Sequence, residues 1–517
     1  MTLPGTITEE LLDTLRAHVV SSTSDTVTPT AVYTGAELAS LPRSSPEDVL
    51  TAVGQARVAQ KAWGATGFAD REKIFDRFHG LLLKHREELS DLVQAETGKS
   101  RRDAFEELGE PVLVTGYYLR TAAKVLSPRK RAGVLPFAVG ATELRVPKGV
   151  VGIISPWNYP LALAMADSVP ALLAGNTVVL KPDSQTCLSP LFAVELLHRA
   201  GLPEGVLQVV LGDGPVVGAA LVDSADFVGF TGSTRTGTEV AKRAAARLIG
   251  CSLELGGKNP MLVLDDANLA AAVDTAVRSC FANAGQLCLA MERIYLHESI
   301  FDGFADRFVA ATEKLKLGAA YDYSVDVGSL VSQAQLKTVA EHVDDARAKG
   351  ARVLAGGRPR PDLGPFFYEP TILAEVTPEM TCHANETFGP VVSLYPFRTD
   401  DEAVQLANDT EYGLNASVLG RDVGRATALA ARIRAGTVNI NDGVVSAYGS
   451  TDAPMGGMGA SGLGRRHGAE GILKYTEAQT LAVQRVPVLS PPKWVPYQQF
   501  TKIMVGLLRL LRRLGIR

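Results

Sequence analysis

Two short segments combine the residue types that covalent chemistry on a carbonyl carbon requires. Glu254 lies in Leu253-Glu-Leu-Gly-Gly257, and Cys288 ends the glycine-containing segment Asn283-Ala-Gly-Gln-Leu-Cys288. A thiol on such a bend can attack a carbonyl carbon, and a neighbouring carboxylate can take a proton from the thiol or from water. Alone, the cysteine would more simply be a buried structural thiol, and the glutamate a solvated or salt-bridged carboxylate. The pair predicts that Cys288 is a nucleophile and Glu254 a general base.

Asn158 is a third candidate for the same site. It lies in Pro156-Trp-Asn-Tyr-Pro160, between an apolar run and an apolar helical segment. An asparagine in this position can simply cap the helix. Its amide can also donate to the oxyanion that develops when a thiolate attacks an aldehyde, and one such donor contributes ~3–4 kcal/mol.

The remaining cysteines indicate the compartment rather than the chemistry. Five cysteines without CxxC spacing are typical of a reducing compartment, not of disulfides or of a metal site. We interpret Cys187, Cys251, Cys280 and Cys382 as packed structural thiols. The N-terminus lacks the charged start and apolar run of a signal peptide, so we expect a cytoplasmic protein with no metal centre.

The elements that position these residues can be read from the apolar pattern. Residues 46–126 follow helical periodicity, and short apolar runs at 150–155, 177–181, 206–211, 227–230 and 252–255 then alternate with helix-like segments. This alternation predicts an α/β fold with a doubly wound parallel sheet. Ligands bind such sheets at the carboxyl ends of the strands, where Asn158 and Glu254 fall.

Two glycine-containing turns are candidates for binding a dinucleotide. Gly212-Asp-Gly-Pro-Val-Val-Gly218 has its third glycine one residue too late for a GxGxxG fingerprint. Phe230-Thr-Gly-Ser-Thr-Arg-Thr-Gly237 leads from a strand into a helix whose N-terminus can hold a phosphate. Lys181 and Ser184 close another strand, at a position where a carboxylate would bind a ribose 2′-hydroxyl and repel a 2′-phosphate; Ser184 does neither strongly, and Lys181 adds positive charge. NADP is therefore favoured over NAD, and both stay open.

Over roughly residues 30–490, these motifs resemble the aldehyde dehydrogenase superfamily. The chain is most similar to its succinate-semialdehyde dehydrogenase branch, in the bacterial form with Lys181-Pro-Asp-Ser-Gln-Thr186 and Asn283-Ala-Gly-Gln-Leu-Cys288. The resemblance implies that Cys288 is the nucleophile, Glu254 the base and Asn158 the oxyanion donor. It places these residues at the cofactor: Ser155, Pro156, Trp157, Lys181, Ser184, Gly212, Gly232, Ser233, Leu255, Glu386 and Phe388.

The resemblance also implies a domain organisation. A Rossmann-type parallel-sheet cofactor domain would comprise residues 30–132 and 149–255, and an α/β catalytic domain residues 256–454. Small oligomerisation strands would lie in 133–148 and 455–490, so a homodimer or tetramer is expected. Residues 491–517 would form a separate basic tail.

The implied reaction is the NAD(P)-dependent oxidation of an aldehyde to a carboxylic acid, with succinate semialdehyde as the first substrate candidate. Enzymes of that branch commonly hold the substrate carboxylate with arginines. The corresponding stretches, Ala164-Met-Ala-Asp167 and Cys280-Phe-Ala-Asn283, contain no arginine beside Ala166 or Ala282. Asp167 would repel an anion if it faced the substrate tunnel. A medium-chain, long-chain or aromatic apolar aldehyde is therefore the alternative.

Two rival classes are less consistent with the residues. A CoA-acylating relative would release its thioester to CoA, whereas Glu254 provides a base for water. A non-enzymatic scaffold would have lost Cys288, Glu254 or Asn158, and all three are present.

Charge is distributed unevenly along the chain. The net charge is −4, yet residues 478–517 contain no Asp or Glu and seven Lys or Arg, so the body is more acidic than the whole. An acidic body argues against nucleic-acid binding. From Phe500 onward, an apolar stripe accompanies the basic residues: Phe500, Ile503, Met504, Leu507, Leu510, Leu511 and Leu514. This pattern predicts a helix that either lies on an anionic membrane surface or packs on protein.

Overall fold

The computed structural model describes residues 2–135, 138–488 and 490–516. The chain divides into two compact units: a larger one of Met1–Ala123 and Pro147–Tyr475, and a smaller one of Lys124–Val146 and Thr476–Arg517. Residues 455–475, predicted to belong to an oligomerisation segment, lie in the larger unit. Pro136, Phe137, Leu489 and Arg517, which fall in the predicted terminal and oligomerisation segments, lie outside the described residues.

The N-terminal part of the larger unit is mainly helical, as the pattern of residues 46–126 predicts. It contains α1 (Glu9–Arg16), β1 (Thr26–Val27), β2 (Thr30–Ala31), β3 (Ala36–Glu37), β4 (Leu41–Pro42), α2 (Pro46–Ala65), α3 (Phe68–Lys84), α4 (Arg86–Thr97) and α5 (Arg101–Leu126). Helix α2 begins at a capping box, in which Ser45 Oγ accepts from the Asp48 N–H and Asp48 Oδ2 accepts from the Ser45 N–H.

A six-stranded sheet forms the first core of the larger unit. Its spatial order is β19 (Gly462–Leu463), β11 (Gly250–Glu254), β10 (Phe227–Thr231), β7 (Val150–Ile154), β8 (Thr177–Lys181) and β9 (Leu207–Val209). Within the described residues only β19 runs antiparallel to its neighbour. The connecting helices are α6 (Pro160–Leu173), α7 (Leu188–Arg199), α8 (Ala219–Ser224) and α9 (Thr234–Ala246). The predicted parallel sheet is confirmed, and Lys181, Thr231 and Glu254 end at one edge of it.

A seven-stranded sheet forms the second core of the larger unit. Its order is β14 (Arg352–Ala355), β15 (Thr371–Ala374), β16 (Val391–Phe397), β13 (Met291–His297), β12 (Asn259–Val263), β17 (Asn415–Leu419) and β18 (Thr437–Ile440). The helices in this part of the chain are α10 (Leu269–Phe281), α11 (Phe301–Thr312), α12 (Gln333–Ala348), α13 (Thr381–Ala384), α14 (Asp400–Asn408), α15 (Val423–Ala430), α16 (Val445–Tyr448) and α17 (Gly468–Leu473). The short turn between α10 and β13 carries Cys288.

The smaller unit is a three-stranded sheet with one helix. The sheet order is β20 (Thr476–Gln484), β6 (Val139–Pro147) and β5 (Arg129–Arg131), and the helix is α18 (Tyr497–Arg513). The predicted apolar stripe of α18 is divided in two. Leu511 is buried in a cluster with Leu135 and Val488, whereas Ile503 and Leu510 are 63% and 52% exposed. None of the described helices is long and apolar enough to cross a bilayer.

Candidate active site

The segment before Cys288 is a tight turn in an unusual backbone conformation. Asn283 and Ala284 have φ angles of 50° and 52°, and Gly285 has a φ of 71°. Left-handed backbone is costly for residues with a Cβ and is found where the surroundings enforce it. A Cβ on Gly285 would lie 2.1 Å from the carbonyl oxygen of Gly389, so this position has room only for glycine.

Cys288, Glu254 and Asn158 line the same two cavities. Each side chain contributes to a cavity of about 270 Å³ and to a second cavity of about 260 Å³. The first opens among α5, α10 and the segment around α16, and the second lies at the carboxyl edge of the six-stranded sheet. The structure therefore brings together the three residues that sequence reasoning selected, at the junction of two binding spaces.

Glu254 occupies a site that opposes ionisation. It is the last residue of β11, it is 4% exposed, and its Oε1 has no hydrogen-bond partner. Burial raises the pKa of Glu254 to about 7, while the positive charges of Arg466 and then Lys474 oppose that rise. A carboxyl group with a pKa near neutrality can both accept and release a proton at working pH, which suits a general base.

Cys288 rests as a neutral thiol in this environment. Burial, followed by the carboxylates of Glu254 and Glu386, raises the pKa of its thiol to about 12, while Arg466 acts in the opposite direction. A thiol is a far weaker nucleophile than a thiolate. Cys288 therefore needs a proton acceptor when it attacks, and Glu254 is the carboxylate that lines both of its cavities.

Asn158 is held by hydrogen bonds at its backbone oxygen and at its side-chain amide. Its backbone oxygen accepts from Lys99 Nζ at 2.7 Å and from Asn283 Nδ2 at 3.1 Å. Its Nδ2 donates to the backbone oxygen of Gln286 at 3.0 Å. An amide nitrogen carries two hydrogens. The contact to Gln286 uses one hydrogen and orients the other, so the amide is fixed beside the turn that carries Cys288.

The first cavity combines an apolar wall with a surplus of carboxylates. Its apolar and aromatic lining comprises Tyr159, Leu163, Ala282, Leu287, Leu289, Val444, Val445, Tyr448 and Met455. Besides Glu254, the carboxylates in its lining are Glu106, Glu107, Glu110, Asp274 and Asp442, and its two cationic residues are Arg278 and Arg466. Arg278 Nη2 donates to Glu106 Oε1 at 2.7 Å, and Arg466 is bound to Asp167. Both arginines thus already have carboxylate partners.

Asp167 does not act on the cavity in the way that the sequence suggested. It is 3% exposed, and its Oδ2 accepts from Arg466 Nε and Nη2 at 3.1 and 2.6 Å. Its Oδ1 accepts from Lys474 Nζ at 2.8 Å and from the Tyr475 hydroxyl at 2.7 Å. The neighbouring cations hold the pKa of Asp167 well below its usual range despite burial. Asp167 is therefore an ion-paired anchor and is absent from the lining of the first cavity, so the condition under which it would repel an anionic substrate is not met.

The second cavity contains six of the eleven residues predicted to hold a cofactor. Its lining includes Pro156, Trp157, Gly232, Ser233, Leu255 and Phe388. The indole of Trp157 meets the Phe388 ring edge-on, with ring centroids 5.4 Å apart. Ser233 caps α9 by accepting from the Thr236 N–H, and the free N–H groups of this first turn can bind a pyrophosphate.

A third cavity, of about 470 Å³, fits the adenosine end of a dinucleotide. Lys181, Ser184 and Gly212 line it, together with Asp183 and Asp213. Ser155 is instead buried at the end of β7, where its N–H donates to the Lys181 oxygen at 3.1 Å. The residues present thus fit a dinucleotide, with a cation at one end and the N-terminus of α9 near the other.

The loop that carries Glu386 and Phe388 is fixed by a buried carboxylate. Glu292 Oε1 accepts from the Phe388 N–H at 2.9 Å, and its Oε2 accepts from the Thr387 N–H at 2.9 Å. Glu386 Oε1 in turn accepts from the Gly257 N–H at 2.8 Å, and burial raises the pKa of Glu386 to about 8. These contacts hold the predicted cofactor residues against the strand that follows Glu254.

Sequence reasoning missed the charged groups around the first cavity. Arg278 lies one helical turn before Ala282, where an arginine was expected, so helical spacing was a usable signal. Arg466 gave no such signal, because its partner Asp167 is 299 positions away in sequence. Among the described residues, no group of three or more His, Cys, Asp or Glu side chains could hold a metal ion.

Comparison with known proteins gives a consistent result. The aldehyde dehydrogenase family model matches residues 19–481. A relative from Mycobacterium tuberculosis (strain ATCC 25618 / H37Rv), named "Putative succinate-semialdehyde dehydrogenase (NADP(+)) 2", is 52% identical over 483 residues, 93% of each chain. A Mycobacterium ulcerans relative of the same name is 51% identical over 515 residues, 99% of each chain.

Solved structures agree with the sequence relatives. The crystal structure of betaine aldehyde dehydrogenase from Staphylococcus aureus in complex with NAD+ matches with a TM-score of 0.89 at 32% identity. The match covers 94% of this chain and 98% of that one. The predicted fold is thereby confirmed over most of the chain. Together with the family match, these findings show that this chain belongs to the aldehyde dehydrogenase family.

Proposed function

We propose that this protein oxidises an uncharged, mainly apolar aldehyde to the carboxylic acid, with NADP as the preferred hydride acceptor. The observation that carries the proposal is the junction at which Cys288, Glu254 and Asn158 line both an apolar cavity and the cavity that fits a dinucleotide. An aldehyde in the first cavity would meet the thiol, the carboxylate and the amide at once, next to the space for a hydride acceptor.

The chain's own residues account for both halves of the reaction. Glu254 takes the proton of Cys288, and the sulfur adds to the aldehyde carbon to give a thiohemiacetal oxyanion that Asn158 Nδ2 and the Cys288 N–H stabilise. A bound nicotinamide would supply the hydride acceptor, so that loss of the hydride from this carbon leaves an acyl thioester on Cys288. Once Glu254 has passed that first proton to solvent, it removes a proton from water, and the hydroxide oxygen bonds to the acyl carbon. The C–S bond then breaks, and the leaving sulfur takes the proton from Glu254, which releases the acid and restores the Cys288 thiol.

The charges of the first cavity support an uncharged substrate. Asp274 and Asp442 add negative charge to its lining, and Arg278 is paired with Glu106. A substrate carboxylate would lose hydration on entry and would meet these anions without an unpaired cation to compensate. An aldehyde with an apolar body instead buries its surface against Leu163, Leu287 and other apolar side chains, at about 25 cal/mol per Å².

Succinate semialdehyde is the second candidate. Two observations favour it. The mycobacterial relatives are named for this substrate, and Arg278 lies in the lining of the first cavity. In this alternative, Arg278 would leave Glu106 and bind the substrate carboxylate with its planar fork.

NADP is favoured because Ser184 stands where a carboxylate would exclude a 2′-phosphate. Lys181 adds a positive charge to the third cavity, and Arg43 Nη1 pairs with Asp213 Oδ2 at 2.9 Å, which offsets one of its two aspartates. NAD stays the alternative, since Asp183 also lines that cavity. The M. tuberculosis relative is named for NADP, and the betaine aldehyde dehydrogenase structure holds NAD+.

An initial-rate panel tests the substrate assignment. Hexanal, decanal and benzaldehyde should each give a kcat/KM more than about tenfold above that of succinate semialdehyde, a difference of roughly 1.4 kcal/mol in transition-state binding. The rates are measured with NADP and with NAD. In Asp274→Asn, the rate with succinate semialdehyde should rise while that with hexanal stays the same. A wild-type preference for succinate semialdehyde that Arg278→Gln abolishes would overturn the assignment in favour of the second candidate.

We also propose a role for the smaller unit. The exposed edge strand β20 would pair with a second copy of the chain, giving a homodimer or a dimer of dimers. Helix α18 would contact an anionic membrane surface through its exposed apolar flank and its basic residues. The protein would then work in the cytoplasm, where the reduced thiol of Cys288 persists.

A further inference from the structure

Arg466 is fixed from several directions beside the reacting groups. Its backbone N–H and oxygen both pair with Met455, at 2.6 and 2.9 Å. Its side chain is 5% exposed, and it forks onto Asp167 Oδ2 and reaches the hydroxyl of Thr231. Thr231 is the direct neighbour of Glu254 across the β10–β11 pair. The guanidinium is thus held in one place, and it lines the cavity of Glu254 and Cys288.

The charges of this cluster balance only in one protonation state of Glu254. Asp167 contributes one negative charge, and Arg466 and Lys474 contribute two positive charges. The buried group of four is therefore neutral when Glu254 is ionised and positive when Glu254 is protonated. A net charge that burial isolates from water is costly, so the cluster favours the carboxylate.

Arg466 is also the cation that acts on both reacting groups. The charges acting on Glu254 are those of Arg466, Lys474, Asp167 and Arg465, in that order. The charges acting on Cys288 are those of Glu254, Glu386 and Arg466, of which Arg466 alone favours the thiolate.

On the basis of the proposed function, we propose that Arg466, anchored by Asp167, is a positioning residue that makes Glu254 and Cys288 lose their protons more readily. Arg466 touches neither substrate nor cofactor in this proposal. It acts through the two groups that do, and the fork onto Asp167 is what keeps its charge at a fixed distance from them.

The sign of the effect follows from the charge that is removed. Without the Arg466 charge, the ionised forms of Glu254 and Cys288 both lose stabilisation, so both pKa values rise. The acidic limb of the pH profile of kcat/KM, expected near pH 7 in the wild type from the pKa of Glu254, should move upward. A neighbouring opposite charge typically shifts a pKa by ~1–3 units, so we expect a shift of at least about one pH unit.

The test uses Arg466→Gln and Arg466→Lys in the full chain, with two readouts. The first is the pH profile of kcat/KM. The second is the pH dependence of iodoacetamide alkylation at Cys288, followed by mass spectrometry of the Cys288 peptide. Alkylation needs neither aldehyde nor cofactor, so its result stands even if the proposed substrate class fails. Arg466→Gln should shift both profiles upward, whereas Arg466→Lys should keep both within a few tenths of a unit of wild type.

Two further variants separate charge from loss of structure. Arg465→Gln removes a positive charge from the adjacent residue and should give a smaller shift, because Arg465 ranks below Arg466 among the charges on Glu254. If Arg466→Gln unfolds, Asp167→Asn/Arg466→Gln removes the buried ion pair as a unit. It should still shift the alkylation profile upward, because Asp167 is not among the charges acting on Cys288, whereas the kcat/KM profile should shift less, because the charge of Asp167 itself raises the pKa of Glu254. Unchanged alkylation profiles in the folded Gln variants, or equal shifts in Arg466→Lys and Arg466→Gln, would overturn the proposal.

Discussion

At the scale of single residues, the buried Glu254 and the half-buried Cys288 differ in how readily they ionise. Cys288 rests as a thiol because burial and two carboxylates oppose its ionisation, and Glu254 rests near the midpoint of its titration. In the proposed reaction, this arrangement keeps the Cys288 thiol protonated at rest and lets Glu254 both accept and release a proton near neutral pH. Asn158 does not ionise, and its proposed role as an oxyanion donor depends on the hydrogen bonds that hold its amide beside Cys288.

The residue types and their local order made these three side chains predictable. Glycine turns next to Glu254 and Cys288, and a polar residue directly after a buried strand, are signals within one short segment. Arg466 and its anchor carry no such signal. Asp167 lies in a helix of apolar residues and meets Arg466, 299 positions away in sequence, only in the folded chain. Tertiary packing brings these two residues together, and no local sequence pattern predicts the contact.

At the scale of elements, helix α18 combines two surfaces with different functions. Leu511 fills the apolar cluster of the smaller unit, together with the partly buried Met504 and Leu507. Ile503, Leu510 and Leu514 form an exposed flank, at 63%, 52% and 61%. The periodicity of the sequence predicts a single apolar stripe on α18. Which residues of that stripe are buried depends on the apolar cluster that they pack against in the folded unit. The exposed flank beside basic side chains is the observation behind the proposed membrane contact.

Vesicle co-sedimentation tests this surface without removing the core residue Leu511. The full chain should sediment with vesicles that contain anionic phospholipid and less with neutral vesicles, and added salt should weaken the binding. The variant Ile503→Ser/Leu510→Ser/Leu514→Ser retains every cation and should lose most of the binding. A chain ending at Pro492 serves as the tail-free reference. Equal sedimentation of all three proteins would show that α18 does not bind the membrane.

At the scale of the whole molecule, the sequence foresaw the alternation of strands and helices better than the division of the chain into units. The parallel sheet follows from apolar runs that each end in a turn, and its strands lie within a few residues of the predicted limits. The smaller unit takes in residues 476–484 as strand β20 but not residues 455–475, which carry β19 and the Met455–Arg466 bridge of the active site. The sequence of a short strand with few apolar residues does not indicate which sheet the strand joins.

The exposure of strand β20 leads us to expect that copies of the chain assemble through this strand. Most of its residues are exposed, including Leu481 and Val483 at 55% and 53%, and it is an edge strand within the described part of the sheet. Light scattering should give two or four times the chain mass of 54.9 kDa. Leu481→Lys places a charge on the edge and should lower the mass, since charged edge strands resist pairing. A wild-type mass of one chain would contradict this assembly.

The proposed reaction depends on a covalent acyl intermediate at Cys288 that Glu254 releases. Rapid mixing of Glu254→Gln with aldehyde and NADP tests for this intermediate. This variant should form up to about one equivalent of NADPH per site, more slowly than wild type because hydroxide from solvent and not Glu254 must take the thiol proton, and should then turn over more slowly still. Intact mass should show the acyl group, on the peptide that contains Cys288, and Cys288→Ala should give neither signal. Normal steady-state turnover by Glu254→Gln, with no acyl-enzyme detected, would contradict the account.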